Sequence, residues 1–280
     1  MHDFKTLSKI IMISVFILAA FGCSSKNQVI DTDFGFTAES VPEGILLTFR
    51  NIPSDAIRMM IHVNYFEENE ITGIYNVYSS FTDIRDSSFT KGANPSIQLE
   101  RVKQSGKVIF PFVKAGEEYS VMAYVFNQQD HDLMLNNDES YVPIWAETTI
   151  IPESGTFFRK EDVKLSLNND NSYVTLLSEP IFSSEIAFDK QKYSFSVTII
   201  VPKTGSIGVA DHHFSDGLSD DGLTWVFEPQ MTETLREYNN NWLAVGKNYS
   251  AWANVFANII YDDIFWYVEI VKTQEFNYSL

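Results

Sequence analysis

The 280-residue chain carries 20 Lys+Arg against 37 Asp+Glu, a formal net charge of −17. That excludes a nucleic-acid partner gripped through its phosphates, and adhesion by charge to anionic lipid, because both need clustered cationic side chains. Hydrophobic residues make up 45% of the sequence and aromatic residues 14%, which excludes a disordered chain, and a lone cysteine excludes an internal disulfide.

In chain order, the first segment has three parts. Lys5 and Lys9 give a short positive region, and Ile10 to Phe21 is apolar apart from Ser14. Then come Ala20-Phe21-Gly22-Cys23-Ser24. A charged start, an apolar run of this length and small residues before a cut site describe an export signal. The run is short of the ~20 residues a membrane span needs. Residues 1–22 are therefore read as a segment that is removed, which would leave the mature chain at a net charge of −18. The sole cysteine of the sequence stands where the apolar run ends.

This arrangement resembles the lipobox of bacterial lipoproteins. Gly22 fits that box, while Ala20 and Phe21 stand where Leu and a small residue are usual. The resemblance implies that Cys23 is lipidated and becomes the mature N-terminus, held at a membrane by two or more acyl chains, as stable anchoring requires. Ser24 stands where an Asp would resemble an inner-membrane retention signal, so the outer membrane is the expected destination. Residues 23–33 are polar and without periodicity, and read as a tether.

Strand patterns follow. Gly44 to Phe49 is the first run. In Ile57 to Tyr65, alternate residues Ile57, Met59, Ile61, Val63 and Tyr65 share one face, the period of a half-buried strand. Lys107 to Val113, Tyr119 to Phe126 and Tyr141 to Ile150 continue the series, separated by turn clusters such as Lys91-Gly92-Ala93-Asn94-Pro95. A boundary is expected at Ile151 to Thr156, where Pro152 and Gly155 end the last run. Beyond it, Ser172 to Leu177, Lys192 to Val201, Leu223 to Phe227, Asn248 to Phe256 and Ile264 to Val271 read as strands. Met231 to Tyr238 is the best helix candidate.

The second half repeats the first. Ala115-Gly116-Glu117-Glu118-Tyr119-Ser120-Val121-Met122-Ala123-Tyr124-Val125-Phe126 aligns with Val245 to Phe256 at an offset of 130, identical at six of twelve positions. Leu47 to Pro53 answers Val174 to Pro180 at an offset of 127. The motif Gly-x-x-Tyr-Ser-x-x-Ala-x-Val-Phe resembles the sixth strand of fibronectin type III and related immunoglobulin-like domains. The resemblance implies an all-β chain of two tandem antiparallel β-sandwiches, over 34–151 and 156–280. It also implies that Tyr119 and Tyr249 are corner tyrosines, whose rings pack inside while their hydroxyls bond back to nearby backbone.

The search for chemistry returns little. No serine motif resembling a nucleophile elbow is present. His62 falls on the polar side of its strand, and His131 in an acidic loop, Asp130-His131-Asp132. Asp211, His212, His213 and Asp216 offer imidazole and carboxylate groups that suit zinc or calcium. Their spacing matches no ligand pattern, so this stretch reads as a solvated loop and no metal or cofactor is assigned. The aromatic residues say more. Trp252 alternates with the core set of its strand, and Ile264 to Glu269 is apolar on both faces, so Trp252, Phe265 and Tyr267 form a candidate ligand platform on an outer sheet face. The expected function is a non-catalytic binding or scaffold role towards a protein or a glycan. The alternatives are a polysaccharide-capture subunit with an aromatic platform, and a metal-dependent hydrolase using the His212-His213 loop.

Overall fold

A computed structural model describes residues 33–68, 75–86, 99–136, 140–160, 163–203, 206–214, 219–226 and 247–279. The chain is mostly β-sheet, and every described strand pair is antiparallel. The expected export signal, Cys23, nearly all of the expected tether and the helix expected over Met231 to Tyr238 lie outside the described residues. Among the described residues no helix is long and apolar enough to cross a membrane.

The first stretch opens with the hairpin β1 (Gly35–Val41) and β2 (Gly44–Arg50), to which β5 (Lys107–Phe110) adds a third strand. The hairpin closes tightly at Gly44. Its φ is +142°, and a Cβ there would lie 2.2 Å from the Phe110 carbonyl oxygen, so only glycine fits. The strands β3 (Arg58–Glu68), β4 (Tyr75–Arg85), β6 (Tyr119–Phe126) and β7 (Ile144–Ile150) lie in the order β4-β3-β6-β7. Their inward positions Met59, Ile61, Val63, Val121, Ala123 and Val125 are all but sealed from solvent.

The second stretch matches this order. A three-stranded sheet holds β9 (Leu165–Leu167), β10 (Tyr173–Leu176) and β14 (Thr224–Val226), while β8 (Phe157–Phe158) pairs with β11 (Ile181–Phe182). The long strands β12 (Ala187–Lys203), β13 (Ser206–Phe214), β15 (Asn248–Tyr261) and β16 (Ile264–Lys272) run in the order β13-β12-β15-β16, and β17 (Phe276–Ser279) pairs the start of β15. Small residues meet large ones across this ladder: Ala253 faces Val197, Ala251 faces Ile199 and Ala257 faces Tyr193, all buried. That alternation lets the layer fill without voids.

The sheets do not respect the boundary at 151–156. β16 pairs with β4 at Tyr267 and Phe81, so strands from both stretches form one nine-stranded sheet. One ladder pair is a slender join, and side chains reinforce it. Thr82 Oγ1 donates to the Phe265 carbonyl at 2.7 Å, and Lys272 Nζ to the Val77 carbonyl at 2.7 Å. Arg159 donates to Glu67 at 2.8 Å and to the Ile270 carbonyl at 2.5 Å. Beneath the join the core is continuous: Phe110 of β5 meets Trp266 of β16 edge-on, ring centres 5.0 Å apart.

Three expectations need correction. The strand expected over 107–113 stops at Phe110, because Pro111 follows and has no N–H to continue the ladder. The acidic loop around His131 is the helix α2 (Gln128–Leu135), preceded by the shorter α1 (Leu99–Ser105). Asn127 caps α2 by accepting from the Asp130 N–H at 2.9 Å, and His131 is buried on it. Lastly, Asp211, His212 and His213 belong to β13 and not to a loop, in register with Thr198, Val197 and Ser196.

Candidate functional site

The site grows out of the join. On β4, the residues that alternate with the inward Ser80 and Thr82 are Ser79, Phe81 and Asp83, and they face away from the three-stranded sheets. Across the join the matching positions on β16 are Phe265, Tyr267 and Glu269. Phe81 therefore stacks on Tyr267 at 4.7 Å, and Tyr267 meets Phe265 edge-on at 4.7 Å. Phe81 also stacks on His62 at 6.0 Å, and His62 meets the edge of Tyr124 at 5.7 Å. Phe256 of β15 closes on Phe81 at 6.2 Å. The result is a row of rings crossing five strands on the outer face, drawn from both stretches of the chain. Phe265, Tyr267, Phe81 and His62 are half-buried, and Tyr124 and Phe256 are buried.

Beside the row lies a buried ion pair. Arg58 grips Asp83 with both arms, at 2.7 and 2.8 Å, and Arg85 adds bonds of 2.9 and 2.6 Å to one carboxylate oxygen. Burial pushes the Asp83 carboxyl up, but the bonds from Arg58 and Arg85 outweigh it and hold the group below the usual carboxylate range. Stripped of water between Phe81 and Tyr124, and with Arg58 adding to the effect against the pull of Asp83, His62 is lowered to about 4. It is a neutral imidazole at physiological pH.

On the other side of the row the outer face turns polar. Ser194, Ser196, Thr198, Asn254, Asn258 and Glu269 are all buried there. Ser194 Oγ donates to Asn258 Oδ1 at 2.9 Å, and Asn258 Nδ2 to the Gln191 carbonyl at 2.9 Å. Glu269 accepts from Asn254 Nδ2 at 2.6 Å and from the Ser79 N–H at 2.7 Å, tying the strip to the join.

Of the platform residues named from sequence, Phe265 and Tyr267 come together and Trp252 does not join them. The antiparallel register sets Tyr267 against Asn258. Trp252 lies six positions away along β15, roughly 20 Å at the rise of a strand. It stands instead beside Lys272, whose ammonium is 5.9 Å from its ring centre. Tyr119 is buried, and its hydroxyl accepts from the Lys114 N–H at 2.8 Å. Tyr249 opens β15 half-buried and paired with Tyr278, and the turn before it lies outside the described residues. The side chains of Asp211, His212 and His213, and all of Asp216, are likewise outside them. Among the described residues no group of three His, Cys, Asp or Glu could hold a metal ion.

Sequence reading put Asn254 and Phe256 on the face of Trp252, but missed Phe81, His62 and Glu269 as neighbours of the platform. A period-two scan of Tyr75 to Arg85 would have placed Phe81 opposite Ser80 and Thr82, but nothing in the sequence announces that β4 meets β16. No family model matches the chain, and no curated protein matches it.

Proposed function

We propose that this chain is a lipid-anchored protein of a bacterial cell envelope, in the outer membrane, with a non-catalytic binding role towards a protein or a glycan. On this reading Cys23 carries the lipid, and the fold is a pair of immunoglobulin-like sandwiches fused side by side. Two features favour the paired sandwiches. Each stretch contributes one three-stranded sheet and four strands in the same order to the shared sheet, and the repeated motif falls on the matching strands β6 and β15.

The observation that carries the binding role is the row Phe265, Tyr267, Phe81 and His62. Half-buried rings in a row offer apolar area at low cost in side-chain entropy, the property that makes aromatic residues common at recognition surfaces. Their polar neighbours can fix the orientation of whatever lies across them.

Two measurements test this. Mass spectrometry of the chain recovered from bacterial membranes should find acylated Cys23, and Cys23→Ser should release the protein to the soluble fraction. Unmodified Cys23 would remove the anchor from the reading. Separately, a photoreactive residue at position 265 should crosslink an envelope protein or glycan, whereas one at exposed Glu39 on β1, in the three-stranded sheet, should not. Equal labelling from both positions would count against a role for the ring row.

A further inference from the structure

An aromatic ring, a carboxylate and a cation recur together in this fold. Arg58 lies over the Phe126 ring at 5.7 Å and pairs with Asp83 at 2.7 Å. Arg159 lies over the Tyr78 ring at 4.3 Å and pairs with Glu67 at 2.8 Å. Lys192 lies over the Tyr193 ring at 5.0 Å and pairs with Glu179. The physical reason is common to all three, because the negative face of a ring and a carboxylate attract the same charge.

The strand β7 carries a ring and a carboxylate of this kind at the surface. Trp145 and Glu147 share its outer face, about 7 Å apart along the strand. Trp145 stands across the ladder from Tyr124, so it carries the ring row on to β7, at the end of the described strand order. Burial raises the Tyr124 phenol to about 12 and the Glu147 carboxylate adds to the rise, which sets that carboxylate beside the same rings. Asp130 of α2 brings a second carboxylate to this edge, accepting from the Val142 N–H at 3.2 Å. Trp145 is 53% exposed and Glu147 is exposed, so a partner can reach both. Among the described residues no Lys or Arg lies over Trp145 or pairs with Glu147. The net charge of −17 draws cations to such a face and repels anions. We infer that Trp145 and Glu147 are a docking point for an arginine side chain of a protein partner, its guanidinium flat on the Trp145 ring and hydrogen-bonded to the Glu147 carboxylate. Arginine supplies the cation in two of the three internal sets, and its planar group both stacks on rings and forks onto carboxylates. An open strand face suits a side chain presented by a large partner, whereas a small amine needs to be enclosed. This rests on the binding role proposed above, and narrows its ligand to a protein with a basic surface.

The test labels the full mature chain with fluorotryptophan. Its five tryptophans give five fluorine resonances, and Trp145→Phe assigns one of them. The probes are acetyl-Ala-Arg-Ala-amide and the same peptide with citrulline, which keeps the shape of arginine and lacks its charge. The arginine peptide should shift the Trp145 signal saturably and leave in place that of Trp252, whose ring already has Lys272 beside it. The citrulline peptide should bind roughly five-fold more weakly, and Glu147→Gln should weaken the arginine peptide roughly three-fold. No saturable shift, equal binding of the two peptides, or no effect of Glu147→Gln would overturn the site. Saturation by tetramethylammonium but not by the arginine peptide would put a small amine there and overturn the protein partner. If a partner crosslinks at position 265 while the Trp145 signal stays unmoved, the binding role stands and this site falls. An arginine-dependent shift with no crosslink at position 265 upholds the site and counts against the ring row.

Discussion

The strands β6 and β15 carry the same motif, and their two faces have gone different ways. Inward, Val121, Ala123 and Val125 match Ala251, Ala253 and Val255, all close to fully buried. Outward, Tyr124 of the first strand faces a neighbouring histidine, while Asn254 of the second faces a serine and a carboxylate. The inward face answers to packing, where an added methylene is felt at once. The outward face is largely buried too, yet it is aromatic and ion-paired in one stretch, and small and polar in the other. The join between β4 and β16 brings these two outer faces edge to edge. The difference between the stretches thereby becomes a difference between the two ends of one surface.

The strongest way to break this arrangement is at the core beneath the join. Trp266 is fully buried and packs against Phe110 from the other stretch. Trp266→Ala should cost about 3–5 kcal/mol by loss of contacts and the cavity left behind. If the stretches act as one unit, the wild type unfolds in a single urea transition and the variant splits or shifts it as a whole. Two wild-type transitions would show that the shared sheet does not couple them.

Next comes a feature that, among the described residues, falls in the first stretch. Arg58 is 8% exposed and holds Asp83 in a forked pair. Arg58→Ala leaves that carboxylate with Arg85 alone, and should cost about 3 kcal/mol because a buried charge loses its main partner. The sign with pH follows from Asp83, whose folded value is depressed. The stabilisation is present above the ordinary carboxylate range and is lost as pH falls below that range, through the depressed folded value. Wild type and Arg58→Ala should therefore converge in chemical denaturation only in acid below the ordinary carboxylate range.

His62 sharpens the contrast between the two outer faces. Its folded value lies near 4, below the ordinary 6.5. A histidine shifted down binds fewer protons folded than unfolded, so its contribution is whole above pH 6.5 and fades as pH falls towards 4. At pH 5 the loss should be about 2 kcal/mol. Urea midpoints of wild type and His62→Gln at pH 7.5 and 5 read this directly. The variant should lose less on acidification, and an equal loss in both would mean His62 is not shielded by its rings.

Much of this fold was legible in the sequence, and the limits have physical causes. Strands with unbroken alternation, such as Met59-Ile61-Val63 and Phe195-Val197-Ile199, could be read at once because one face is buried. β4 escaped because its inward positions Ser80 and Thr82 are polar yet buried, 5% and 1% exposed, which breaks the apolar alternation. α2 escaped because eight residues beginning at an Asn cap are too few to show a helical period. Phe265 and Tyr267 could be picked out as candidates, since their strand is apolar on both sides. Their true neighbours Phe81 and His62 come from the far side of the join, and pairing across more than 180 residues leaves no local signal.

The smallest expected effect tests the repeat itself. The Lys114 N–H donates to the Tyr119 hydroxyl at 2.8 Å, and burial pushes that phenol well above its ordinary range. Tyr119→Phe keeps the ring, which packs against Tyr65 and Phe110. Only the bond and the hydroxyl are lost, while the Lys114 N–H is left without its acceptor. That should cost about 1 kcal/mol. The same change at Tyr249 probes the matching position of β15, where the ring is half-buried and β17 lies alongside. Similar costs at both positions would mean that the motif does the same mechanical job twice. A cost at Tyr119 alone would mean that Tyr249 was kept for its ring against β17, and that the two stretches have diverged at their corners as they have on their outer faces.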